Sequence, residues 1–85
     1  MNYEEITGIA SDAGDGGMKA AREASRVLST VKDVDVRMAL RALFEGRSDE
    51  LEAQGVNREP AEREALNGML GVIADRWEVV YPPPG

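Results

Sequence analysis

Apolar residues return at steps of three and four along the C-terminal part of the chain: Leu66, Met69, Leu70, Ile73, Trp77 and Val80. At roughly 100° per residue these positions fall in an arc of about 100°, one face of a helix. The spacing predicts a last helix over residues 60–80. Glu59 caps it, Pro60 sits in its first turn, and the run from Pro82 to Pro84 ends it. The same periodicity predicts three or four shorter helices upstream. Tyr3, Ile6 and Ala10 mark one over residues 2–13, with Asn2 as cap and Glu5 in capping-box position. Met18, Ala21, Ala24, Leu28 and Val31 mark a second over residues 18–31. Val36, Leu40, Leu43 and Phe44 mark a third that starts at Asp33 or Asp35 and ends at Glu45, with Gly46 as its terminator. Ser48 caps a short fourth helix that ends before Gly55.

Val34, Asp35, Val36, Arg37 and Met38 alternate apolar and polar, as a strand would. The run Ala39, Leu40, Arg41, Ala42, Leu43 favours helix. The expected fold is therefore all-α: four to five short helices packed around a longer C-terminal helix. The alternative is α+β with a short strand over residues 34–38. One helical domain spans residues 1–81, and residues 82–85 form an extended, solvated proline tail. No internal repeat is visible.

Composition narrows the chemistry more than the fold. A chain of 85 residues buries only ~60–65 % of its unfolded surface, so its core is thin. It has no cysteine and no histidine, which excludes thiolate nucleophiles, disulfides, the usual zinc sites and the commonest general base. The serines Ser11, Ser25, Ser29 and Ser48 have no histidine to activate them. Carboxylate pairs such as Glu4–Glu5, Asp49–Glu50 and Glu62–Glu64 lie in charge-rich, solvated segments, and acid–base work needs burial to separate two pKa values. The expectation is a protein that is not an enzyme and takes no cofactor. Asp12 and Glu23 are spaced as the first and last ligands of a calcium loop, but Gly14 and Gly16 stand where ligands belong. Gly14, Asp15, Gly16 and Gly17 lack the lysine of a phosphate loop.

The longest nearly apolar run, residues 68–74, is far short of the ~20 residues a membrane span needs. The N-terminus has no basic region followed by an apolar block. These features read as a cytoplasmic protein with no membrane partner.

Charge is unevenly placed. The net charge is −6. Residues 16–43 carry six bases and three acids, and residues 44–64 carry seven acids and three bases. In the basic part, Arg37 is spaced to pair with Asp33, Arg41 with Glu45 and Lys19 with Glu23. The acidic part holds Asp49, Glu50, Glu52, Glu59, Glu62 and Glu64, relieved by Arg58 and Arg63. Acidic residues first of all keep a small protein soluble. On a rigid helical scaffold they also suit a basic partner. The functional expectation is an acidic, non-enzymatic protein-binding module that docks on a larger basic protein or nucleoprotein complex through Asp49, Glu50, Glu52, Glu59 and Glu62. Its specific form is an inhibitor that masks a nucleic-acid-binding surface, as small phage-encoded anti-defence proteins do. The alternative is a small helical nucleic-acid-binding or regulatory protein using Arg22, Arg26, Arg37 and Arg41. Val72 and Val79 lie off the core stripe of the last helix, and a homodimer would cover them.

Overall fold

The computed structural model describes Glu4, Glu5 and residues 20–84. Glu4 and Glu5 are helical; the remainder of the expected first helix and the glycine-rich segment at residues 14–17 lie outside the described residues. Residues 20–84 form α1 (Ala20–Leu28), α2 (Val34–Ala53), α3 (Arg58–Asp75) and α4 (Trp77–Val80), and no strand occurs among the described residues. The fold is all-α.

Asp33 settles the ambiguity at residues 34–38. Its Oδ1 accepts from the backbone N–H groups of Asp35 at 2.9 Å and Val36 at 3.1 Å. Two of the four donors that a helix start leaves open are thereby satisfied, and the segment enters helix rather than strand. Once begun, α2 does not stop at Gly46. The expected third and fourth helices are one element of 20 residues, and Ser48 lies inside it instead of capping it. Buried Leu40, Phe44, Ser48 and Leu51 follow one another at helical steps straight across Gly46. Tertiary packing of that stripe outweighs the roughly 1 kcal/mol a mid-helix glycine costs. Leu43, expected in the core, is 42 % exposed, on a flank about 100° from the centre of that stripe.

The true stop is Gly55, with φ of 95°. Its N–H bonds to the Glu52 carbonyl, and the Val56 N–H reaches back to Leu51, both at 3.0 Å. This is a Schellman turn, which needs a left-handed residue where glycine stands. The chain then reverses into α3, so α2 and α3 form an αα-hairpin and make the most extensive helix contact of the fold. Asn57, not Glu59, occupies the cap position of α3, and it does so without a side-chain hydrogen bond. Pro60 lies in the first turn, as expected.

The last helix breaks once. Arg76, at φ −117° and ψ 35°, separates α3 from the single turn of α4. The apolar stripe survives the break: Leu66, Met69, Leu70, Ile73 and Val80 are buried and Trp77 is partly so. The longest helix is thus α2; α2 and α3 each touch the other three helices, and α3 supplies Ala65, Leu66, Met69, Leu70 and Ile73 to the main core. Ala20, Ala24, Val27 and Leu28 of α1, with Val31 beyond it, close that core from the other side.

Three helical glycines, Gly46, Gly68 and Gly71, have open space where a Cβ would stand. Alanine at Gly68 or Gly71 is expected to raise stability by about 0.5–1 kcal/mol each, and alanine at Gly55 to lower it by about 1–2 kcal/mol. Urea unfolding of the single variants checks both signs.

Candidate functional site

The hairpin geometry sorts the acidic residues into those that converge and those that do not. Around α2, Glu45, Ser48, Asp49 and Glu52 fall within about 100° of one another. All four line a cleft of about 310 Å³ that faces α3, where Glu62 and Arg58 form the opposite wall. Phe44 and Ala21 form the apolar part of the lining. Four carboxylates are therefore opposed by one guanidinium. Arg58 bonds through Nε to Glu52 Oε1 at 3.2 Å, with its side chain 77 % exposed. An exposed pair of this kind contributes about 0–1 kcal/mol and is readily exchanged.

Of the acids expected to act together, Asp49, Glu52 and Glu62 do meet. Glu50 does not: it lies about 100° past Asp49 around the helix and pairs with Arg47 at 2.7 Å. Arg47 also reaches Glu64 on α3 at 3.5 Å. Glu59 is exposed in the first turn of α3 and does not line the cleft. Its charge helps to raise the Arg63 pKa. Glu45 was missed by the sequence reading, although it lies four residues before Asp49 and seven before Glu52, on the same face.

The most buried charge is elsewhere. Glu23 is fully buried on α1, and both its oxygens accept from Arg63 of α3, at 2.7 and 3.0 Å. Hydrogen bonding to Glu23 raises the Arg63 pKa above its ordinary high value. Burial opposes that rise, and the charges of Glu23 and Glu59 add to it. Both Glu23 oxygens accept from Arg63, a partner 40 residues away that helical spacing does not suggest; the expected partner Lys19 lies outside the described residues. Among the described residues no group of three or more potential ligands is placed to hold a metal.

The basic residues also differ from expectation. Asp33 caps α2 instead of pairing with Arg37, and Arg41 makes no ion pair with Glu45. No carboxylate among the described residues pairs with Arg22, Arg26, Arg37 or Arg41. The Arg37 Nε is sealed from solvent without a hydrogen-bond partner. Val72 and Val79 are 37 % and 57 % exposed.

A second, larger concavity of about 740 Å³ lies at the C-terminal end, between the turn after α1 and the Trp77, Tyr81 and Pro82–Pro84 segment. The Trp77 and Tyr81 rings stand 4.6 Å apart, inclined at 45°. The Thr30 hydroxyl donates to the Val27 carbonyl at 2.6 Å, which leaves its oxygen to accept from the Tyr81 hydroxyl. Burial pushes the Tyr81 hydroxyl above its usual range, against the pull of the Thr30 hydrogen bond. These contacts tie the chain end to the α1–α2 turn.

No helix among the described residues is long and apolar enough to cross a membrane. Comparison with protein-family models, with curated proteins and with solved structures returns no match for this chain.

Proposed function

We propose that this chain is a non-enzymatic binding module that docks on a basic surface of a larger cytoplasmic protein through the cleft between α2 and α3. The observation that carries the reading is the convergence of Glu45, Asp49, Glu52 and Glu62 on one cleft with Arg58 as the opposing charge. The packed helices fix the backbone that carries these carboxylates, so only their side chains are ordered on binding. A negative surface of this kind steers basic partners and competes with phosphates for the same arginines and lysines. The specific form we favour is an inhibitor that covers a nucleic-acid-binding site.

The test is capture from a nuclease-treated lysate of the source cell, comparing wild type with the Asp49→Lys, Glu52→Lys, Glu62→Lys variant across salt. Wild type is expected to retain one stoichiometric protein that is released as salt screens the contact. The variant is expected to lose at least tenfold of that recovery. Equal recovery by the variant contradicts the reading.

One observation favours the nucleic-acid alternative: Arg22, Arg26, Arg37 and Arg41 lack ion-pair partners among the described residues. A low-salt gel shift abolished by replacing these arginines would favour it over the acidic cleft.

A further inference from the structure

Ser48 gives the cleft a feature that acidity alone does not. The residue is 6 % exposed and lines the cleft. A serine inside a helix either turns its hydroxyl back to the carbonyl four residues earlier or points it to solvent. Here the hydroxyl makes no hydrogen bond to any described residue. Nor is its oxygen among the side-chain polar atoms sealed from solvent. The residue is thus largely buried, while its hydroxyl has no partner within the protein and keeps contact with solvent at a cleft it lines together with Phe44, Glu45, Asp49, Glu52 and Glu62. Such a group has an unused donor and acceptor, and it is satisfied by whatever enters the cleft.

The lining specifies the visitor. The acceptors are carboxylates at the rim and a hydroxyl deeper in. The apolar lining contains an aromatic ring, Phe44, 8 % exposed. A planar, weakly hydrated cation with several donors in a fork suits that combination better than a compact ammonium. It can lie on apolar surface, bond to carboxylates and reach the hydroxyl together. The rim already accommodates one guanidinium, that of Arg58, held through Nε alone. We propose that the cleft receives the guanidinium of a single arginine side chain of the partner, with Ser48 as the group that accepts or donates at its inner end. The proposal rests on the binding-module reading and adds to it the residue the partner contributes.

The probes are blocked tripeptides, acetyl-Gly-Arg-Gly-amide and its lysine and citrulline counterparts, titrated into the full chain and followed by amide NMR. The arginine peptide is expected to shift the amides of Ser48, Asp49 and Glu62 with millimolar affinity. Citrulline, of the same shape without charge, is expected to shift none of them. Lysine is expected to bind several-fold more weakly than arginine. Ser48→Ala is expected to weaken the arginine peptide about threefold to tenfold, while its thermal midpoint is no lower than that of wild type, because the hydroxyl it removes makes no bond in the free protein. Shifts confined to other surface acids, equal response to citrulline or lysine, or unchanged affinity in Ser48→Ala would each overturn the proposal. If the peptides fail while charge reversal still abolishes partner capture, the arginine assignment falls and the binding-module reading stands. If capture also survives charge reversal, both fall.

Discussion

Replacing Arg63 with alanine is expected to destabilise the fold by about 2–3 kcal/mol. The mutation leaves the fully buried carboxylate of Glu23 without its partner. Removing one member of a buried ion pair typically costs about 3–5 kcal/mol. Arg63 is about half exposed, so water can reach the orphaned carboxylate from that side and the loss is smaller. The total stability of a domain this size is roughly 4–13 kcal/mol, so the loss is a large share of it. The companion variant Glu23→Leu with Arg63→Leu is expected to recover most of it, because no charge is left buried. Equal destabilisation by the single and the paired change would show that packing, not charge, links α1 to α3. The pair adds no pH dependence through Arg63 near neutrality. Its folded pKa is raised, so its stabilisation is complete below the ordinary arginine pKa and is lost only as pH rises past the raised value.

Truncating Leu66 to alanine is expected to cost more, about 2–5 kcal/mol. Leu66 is 1 % exposed on the core face of α3, and the fully buried Met69 and Ile73 lie one and two turns further along that face. A loss of about 3 kcal/mol corresponds to a fall in thermal midpoint of roughly 12–24 °C for a chain of this length. The same truncation at Val72, off the core face and 37 % exposed, is expected to change the midpoint by no more than a few degrees. Circular dichroism melts of the two variants side by side check the assignment of the core face.

What was legible in the sequence follows from which interactions are local. The helix start near Asp33 and the stop at Gly55 depend on neighbours within a few residues; the stop was legible, and the start was narrowed to Asp33 or Asp35. The core stripe from Leu66 to Val80 was equally plain, because helical spacing alone places it. Gly46 was misread as a stop because glycine has two uses that look alike locally. Only the Leu40, Phe44, Leu51 stripe running through it separates a tolerated mid-helix glycine from a terminator. The interruption at Arg76 left no mark, since the apolar spacing continues across it.

The site was half legible for the same reason. Composition pointed to the acidic segment, but proximity along the chain is not proximity in space. Asp49 and Glu50 are adjacent in sequence and face different surroundings, one the cleft and the other Arg47. Glu45 belongs with Asp49 through the helical repeat. The Glu23–Arg63 pair spans 40 residues, and no local rule joins them. The signal that was present is a carboxylate on the alanine and valine face of α1, between Ala20, Ala24 and Val27, where a charge needs a partner from another helix.

The most direct test of the account compares two charge reversals of equal size. One places lysine at Asp49 and Glu62, inside the cleft; the other places lysine at Glu50 and Glu59, outside it. Both change the net charge by the same amount, so binding governed by overall acidity would suffer equally. The partner's affinity, measured by calorimetry on folded variants, is expected to fall at least tenfold for the cleft pair and less than threefold for the outer pair. Equal losses, or a larger loss for Glu50 and Glu59, would contradict the assignment of binding to the cleft between α2 and α3.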